Sequence, residues 1–388
     1  MDVCIHPASL SGAVTPPASK SMAHRAVLAM ALSGGTSLPQ NLSDSQDIQA
    51  TRRCVAALTT HRAELPNLDC GESGSTLRFL IPIALAVAGG GVFTGHGRLM
   101  ERPQQPYFAI FDEKGIFYQQ KDGVLTVRGH LTPGVYRLPG NVSSQFVTGL
   151  LYALPLLPGA SEIQITTPLE SRGYVDMTLD MLEKFGISVE NQHYDRFLIP
   201  GNQSYHSRSL TVEADWSQAG FWYAANFLGH HVDIRGLRAD STQGDRVVAS
   251  LYETLAAEGN RDIDVSGCPD LLPPLAVMAA ARRGSTRFGN AARLRIKESD
   301  RLATTAALLR ALGVSAEEGP DSLSVHGVPA FSGGTVDGAN DHRIVMAAAI
   351  AATRSSAPVT ILGAEAVNKS YPSFWEDYRS LGGVFDVL

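Results

Sequence analysis

Along the chain, one pattern of polar and apolar positions returns six times. A short polar cluster opens an Ala/Leu-rich run, and a turn, often holding glycine, then leads into a β-prone stretch. The clusters are Ser19-Lys20-Ser21, Glu72-Ser73-Gly74-Ser75, Val142-Ser143-Ser144-Gln145, Asp215-Trp216-Ser217, Cys268-Pro269-Asp270 and Asn340-Asp341-His342-Arg343. The apolar runs occupy 26–32, 77–88, 147–157, 219–228, 275–281 and 345–352. None has a polar face, so each predicts a helix buried on all sides. The β-prone stretches begin at Gly34-Gly35-Thr36, Gly91-Val92-Phe93, Glu162, Val232-Asp233-Ile234, Ser285 and Pro358.

Several copies continue into a second, more amphipathic helix that stops at glycine: 177–185 before Gly186, 302–312 before Gly313 and 378–381 before Gly382. Glycine there suits a left-handed C-cap. Copies recur roughly every 50–75 residues, so each is a whole supersecondary unit rather than one turn of a solenoid. A chain of 388 residues exceeds one ordinary core and suits two domains. Six units then give three per domain, an α/β architecture with buried central helices.

The polar openings carry chemical weight. A helix whose first turn is Ser, Asp or Asn leaves backbone N–H groups free and carries the positive end of its dipole, which favours phosphate and carboxylate. Cations gather at the same places: Lys20 and Arg25 at the first opening, Arg78 at the second, then Arg102, the run Arg293 to Arg301, Arg343 and Lys369. Arginine grips carboxylates and phosphates with two parallel hydrogen bonds, whereas lysine acts as a point charge or proton donor. The set suits a binder of multiply anionic small molecules. Asp270 and Glu298 stand beside cationic or helix-start motifs, where a carboxylate can shuttle protons.

Composition narrows the class. Apolar residues make up 44% and charged residues 18%, as in globular proteins with sizeable cores. A net charge of −6 argues against nucleic-acid binding, since no basic excess is present to release counterions. Cys4, Cys54, Cys70 and Cys268 lie far apart, which reads as buried or idle thiols rather than a disulfide framework. The histidines form no metal-spaced cluster. The N-terminus shows no signal-peptide pattern, and the most apolar run, 79–87, falls short of the about 20 residues that span a bilayer. A cytoplasmic, monomeric protein without metal or cofactor is expected.

With these motifs assembled, a family resemblance is visible. Pro17-Ala18-Ser19-Lys20-Ser21-Met22-Ala23-His24-Arg25 resembles the P-x-S-K-S-x-x-x-R opening of EPSP synthases. Ser73-Gly74-Ser75-Thr76-Leu77-Arg78 resembles their phosphoenolpyruvate loop, and Glu101-Arg102-Pro103 the arginine segment after it. Ser143-Ser144-Gln145, Ser171-Arg172-Gly173-Tyr174, Lys297-Glu298-Ser299-Asp300-Arg301, Asn340-Asp341-His342-Arg343 and Lys369 follow in family order. The resemblance runs from 17 to 375. It implies a two-domain enolpyruvyl transferase-like fold, each domain three βαβαββ units, closing over a cleft. The N-terminal domain would span 19–213, and 1–18 with 214–388 would form the other.

The resemblance also implies the reaction: transfer of the enolpyruvyl group of phosphoenolpyruvate to the 5-hydroxyl of shikimate 3-phosphate through a tetrahedral intermediate. Shikimate 3-phosphate would contact Ser21, Arg25, Ser143, Ser144, Ser171, Tyr174, Asp270 and Lys297. Phosphoenolpyruvate would contact Lys20, Gly74, Arg102, Gln145, Arg301, Arg343 and Lys369. Asp270 would take the hydroxyl proton, and Lys20 and Glu298 would trade the proton at C3. Departures from the family pattern are Glu72 in place of Asn, Phe79 in place of Pro, Arg293 in place of Asn, and a short stretch between Cys54 and Glu72 with little room for the usual hairpin. The alternatives are the sister transferase acting on UDP-N-acetylglucosamine, which has Lys-Asn where this chain has Lys20-Ser21 and a cysteine acid absent near Arg102, and a non-catalytic anion-binding relative. Retention of Lys20, Asp270, Glu298 and Lys369 together argues against the latter.

Overall fold

The computed structural model describes residues 1–35, 38–60 and 64–388. The chain divides into two compact units, one formed by Lys20–Val212 and the other by Met1–Ser19 with Glu213–Leu388. Thr36 of the first predicted turn and part of the short 54–72 stretch lie outside the described residues.

In Lys20–Val212 two repeats fold as complete βαβαββ units. The first orders its sheet as Asn67–Asp69, Gly90–Thr94, Val124–Arg128, Phe117–Lys121. The leading pair is parallel, bringing Val92 opposite Asn67, and the hairpin adds antiparallel strands, bringing Thr126 opposite Val92. Helices Gly74–Ala88 and Gln105–Lys114 make the connections. The second repeat does the same with Gly134–Leu138, Ser161–Ile165, Arg196–Ile199 and Glu190–Gln192. The remaining repeat keeps helices Lys20–Leu32 and Gln46–Thr59 with a single parallel bridge, Gln40 to Thr211. Among the described residues, no strand lies between Thr59 and Asn67.

The other unit repeats this layout. Arg261–Asp264, Ser285–Gly289, Leu323–His326 and Ser315–Glu318 form one four-stranded sheet. In the next, Gly334–Asp337 and Val359–Leu362 are parallel, and the N-terminal strand Val3–His6 takes the place between Val359–Leu362 and Val384–Val387. The last repeat has only the parallel pair Ser11–Val14 and His231–Ile234. Thus, among the described residues, two repeats in each unit carry the full four-stranded sheet and the third is abbreviated.

The Ala-rich helices are the cores. Every residue of Leu272–Ala280 and of His342–Ala352 is buried, as their unbroken apolar pattern requires. Both pack on Trp216–Phe227. Four polar openings cap their helices: Ser73 accepts from the Thr76 amide, Ser143 from Gln145, Asp215 from Ser217 and Gln218, and Asp341 from Arg343. Cys268-Pro269-Asp270 differs, because it forms a 3₁₀ turn, Pro269–Leu271, ahead of its helix. Helix Gly74–Ala88 contains Pro82, whose missing N–H orphans the carbonyl of Arg78. The buried Tyr107 hydroxyl donates to that carbonyl at 2.7 Å and repairs the loss. Gly149 faces the same spot, since a Cβ there would come within 2.3 Å of the Tyr107 hydroxyl, so the two central helices meet backbone to backbone.

Candidate active site

In Lys20–Val212 the charged groups are built on helix starts. Lys20 opens its helix, and its Nζ donates to Asp47 Oδ2 at 2.8 Å, both side chains being largely buried. Arg25, one turn on, is 2% exposed. Its Nε donates to Thr178 Oγ1 at 2.9 Å, Nη1 to the Ser21 carbonyl at 2.7 Å, and Nη2 to the Tyr174 carbonyl at 2.8 Å and Thr148 Oγ1 at 3.4 Å. Of five guanidinium protons these spend four, so Arg25 chiefly ties the Ser21 and Tyr174 backbones together. Burial lowers its pKa to about 10, which leaves it charged near neutrality.

The loop at Gly74 lies against Arg102. A Cβ on Gly74 would stand 2.5 Å from Arg102 Nη1, so the buried guanidinium covers a backbone that only glycine leaves open. Gln145 is held at both ends of its amide: Oε1 accepts from Arg78 Nη1 at 2.8 Å, and Nε2 donates to Ser75 Oγ at 3.0 Å. Ser143 caps the helix that Ser144 begins. Ser171 sits at φ 54°, in the left-handed region, just ahead of helix Arg172–Lys184. A non-glycine residue held there is strained. The Tyr174 amide donates back to its carbonyl at 3.0 Å.

In the other unit, carboxylates and cations interlock. Arg301, 1% exposed, donates through Nη1 to Asp270 Oδ1 at 2.9 Å, through Nη2 to Glu298 Oε2 at 2.5 Å, and through Nε to Asp341 Oδ2 at 2.9 Å. Arg343 Nη2 reaches Asp270 Oδ2 at 2.9 Å and Ser217 Oγ at 3.1 Å. Lys297 Nζ stands 3.4 Å from Asp270 Oδ1. Burial lowers the Lys297 pKa to about 8, with Arg301 and Arg293 adding to the fall while Asp270 and Glu298 oppose it. For Arg301, burial works against the charge, yet Asp341, Glu298 and Asp270 together hold its pKa above the ordinary value. Lys369 donates to the Asn340 carbonyl at 2.6 Å, where Ala339 (φ 50°) and Asn340 (φ 51°) form a left-handed turn before the Asp341 cap.

The sequence model of the family described as EPSP synthase (3-phosphoshikimate 1-carboxyvinyltransferase) matches residues 5–378. The chain belongs to the EPSP synthase family. Two relatives named 3-phosphoshikimate 1-carboxyvinyltransferase, from Clostridium kluyveri and Clostridium acetobutylicum, are each 44% identical to it. The alignments cover 99% and 98% of this chain and 98% and 97% of those proteins. The solved EPSP synthase from Acinetobacter baumannii is 23% identical, covers 100% of both chains and superposes with a TM-score of 0.80. A second structure of that protein gives 0.77 over 99% of each chain. The likeness establishes the two-domain enolpyruvyl transferase-like fold.

Contacts tie Ser21 to Tyr174 through Arg25, Ser75 to Gln145, and Asp270 to Lys297, Arg301 and Arg343, and the structure adds residues to which the sequence assigned no role in the site. Asp47 holds Lys20, Asp341 holds both Arg301 and the amide of Arg343, and Ser217 contacts Arg343. The departures find physical places. Glu72 turns its carboxylate over Gly97, where a Cβ would come within 2.6 Å of Oε2. Phe79 is a buried ring, edge-on to His24 at 6.3 Å and beneath the Arg25 guanidinium at 5.3 Å. Arg293 donates to the Ser266 carbonyl. Among the described residues, no helix is long and apolar enough to cross a membrane.

Proposed function

We propose that the chain joins phosphoenolpyruvate to shikimate 3-phosphate, giving 5-enolpyruvylshikimate 3-phosphate and phosphate. The observation that carries this reading beyond family membership is the clamp on Asp270: Arg301, Arg343 and Lys297 all point donors at one carboxylate, with Glu298 on the same arginine. Such cations would stabilise a dianionic reactant and the charge that develops on it.

To shikimate 3-phosphate we assign Ser143 and Ser144 for the phosphate, with Ser171, Tyr174, Ser21 and the remaining Arg25 proton for other oxygens, and Asp270 and Lys297 at the ring hydroxyls. The place of Ser143 and Ser144 at the start of helix Ser144–Ala153, the positive end of its dipole, supports the phosphate assignment. To phosphoenolpyruvate we assign Lys20, the Gly74 amide, Arg102, Gln145, Arg301, Arg343 and Lys369. The 5-hydroxyl oxygen bonds to C2 of phosphoenolpyruvate as its proton passes to Asp270, while C3 gains a proton from Lys20 or Glu298. The resulting tetrahedral ketal then returns a C3 proton to Lys20 or Glu298 and expels phosphate, leaving the enol ether.

Release of inorganic phosphate tests the reading. It should require shikimate 3-phosphate and phosphoenolpyruvate together, and should vanish when UDP-N-acetylglucosamine replaces the former. Release with the nucleotide sugar alone as acceptor, or none with either, would overturn it.

A further inference from the structure

Beneath the Ser73-Gly74 turn runs a chain of buried hydrogen bonds that none of the roles above uses. His24 Nδ1 lies 2.7 Å from Thr51 Oγ1, which lies 2.6 Å from Thr76 Oγ1. Thr76 Oγ1 donates to Ser73 Oγ at 2.7 Å, and the Thr76 amide donates to the same oxygen at 3.1 Å. His24, Thr51, Ser73 and Thr76 are all at most 1% exposed. Thr51 lies one turn after Asp47 on helix Gln46–Thr59, and His24 one turn after Lys20 on its own helix. One helix therefore holds both Lys20, through Asp47, and the glycine turn, through Thr51.

The chain has a direction. A hydroxyl owns one proton. Thr76 spends its proton on Ser73, so it can only accept from Thr51. Thr51 is then also spent, its 3.4 Å approach to the Asp47 carbonyl being the poorer alternative, and it must accept from His24. The imidazole therefore carries its proton on Nδ1. Burial, with Lys20 and Arg25 nearby, holds the His24 pKa well below its ordinary value, so the ring is neutral. Nε2 is left as a bare acceptor, and it is buried without a hydrogen-bond partner. A phenyl ring would fill the space without that cost. What the histidine supplies is the Nδ1 donation.

We propose that His24 and Thr51 are positioning residues that fix the Ser73-Gly74 turn for phosphoenolpyruvate, an inference that rests on the role of that turn given above. They touch no reactant. They set the entry angle of helix Gly74–Ala88, and with it the Gly74 amide and the Arg102 guanidinium packed over Gly74, relative to Lys20.

Thr51→Val keeps the shape of the side chain and cuts the chain at its middle. The KM for phosphoenolpyruvate should rise about tenfold, the scale of one lost buried hydrogen bond, with kcat and the KM for shikimate 3-phosphate little changed. Thr51→Ser should restore the wild-type value. Equal rises for both substrates, or no rise for phosphoenolpyruvate, would overturn the proposal. Spectra of ¹⁵N-histidine-labelled protein test the chain itself without activity: a neutral Nδ1–H tautomer for His24 is expected, and an Nε2–H tautomer contradicts it. A wild-type protein that turns over while Thr51→Val is unaffected sinks only this inference. A wild-type protein without turnover sinks the parent reading.

Discussion

Arg301 and Asp341 form an ion pair of 2.9 Å between side chains that are 1% and 0% exposed. Asp341 also accepts from Ser299 Oγ at 2.9 Å and from the Arg343 amide at 3.0 Å. One buried carboxylate thus orients both arginines that grip Asp270. Without the Asp341 charge, Arg301 still keeps Asp270 and Glu298, so the loss is that of buried hydrogen bonds to a charged group, about 1.5–3 kcal/mol. Asp341→Asn should lose stability on that order in denaturant titrations and should lower turnover as well. Unchanged stability would show that Asp270 and Glu298 alone suffice to hold Arg301.

Lys20 and Asp47 make the corresponding pair in the other unit. Lys20→Met should weaken phosphoenolpyruvate binding and turnover by an amount on the order of 3–5 kcal/mol, and should also destabilise the fold by stranding Asp47. Adding Asp47→Asn should recover stability and leave turnover low. Recovery of turnover in the double variant would mean that Lys20 serves only to neutralise Asp47.

The contrast between these pairs shows what the sequence made legible. Ser73, Ser143, Asp215 and Asp341 announce helix starts because a capping side chain acts on amides two or three residues away. The buried central helices follow from apolar runs with no polar face. Asp47 gave no comparable signal: it meets Lys20 only because two helices pack, and nothing local marks a carboxylate 27 residues along the chain. The same holds for Thr51 and Thr76, and for the spending of Arg25 on Ser21 and Tyr174 carbonyls. The abbreviated repeat in Lys20–Val212 was legible from length, since too few residues separate helix Gln46–Thr59 from strand Asn67–Asp69. Its counterpart around Ser11–Val14 and His231–Ile234 was not, because one strand comes from near the N-terminus and the other from the middle of the chain.

Gly74 offers a sharper test of the phosphoenolpyruvate assignment. A methyl group there would stand 2.5 Å from Arg102 Nη1 and 2.9 Å from Cζ, so the guanidinium must move. Gly74→Ala should raise the KM for phosphoenolpyruvate and leave that for shikimate 3-phosphate nearly unchanged. A rise confined to shikimate 3-phosphate would place Arg102 with the wrong substrate.

Lys297 sets a pH dependence. Its folded pKa of about 8 lies below the ordinary 10.5, so between these values the unfolded chain binds more protons than the folded one. In that window this group adds stability as pH rises, and below about 8 the cost of its buried charge is fully present. Activity runs the other way, because the assigned contact with a substrate hydroxyl uses the charged amine. Plots of kcat/KM for shikimate 3-phosphate should fall above about pH 8. Lys297→Arg, which stays charged throughout, should lose this alkaline limb even if its activity is lower. An identical limb in the variant would assign the titration to another group.

The proposed reaction is addition to C2 with protonation at C3, followed by elimination. It is tested most directly by running the reaction in D₂O and recording the ¹H NMR spectrum of the product. The expected product is 5-enolpyruvylshikimate 3-phosphate with deuterium in its vinyl methylene, because C3 becomes a methyl group in the tetrahedral intermediate before it loses a proton. A product without deuterium at that carbon, or a phosphorylated shikimate 3-phosphate in its place, would contradict it.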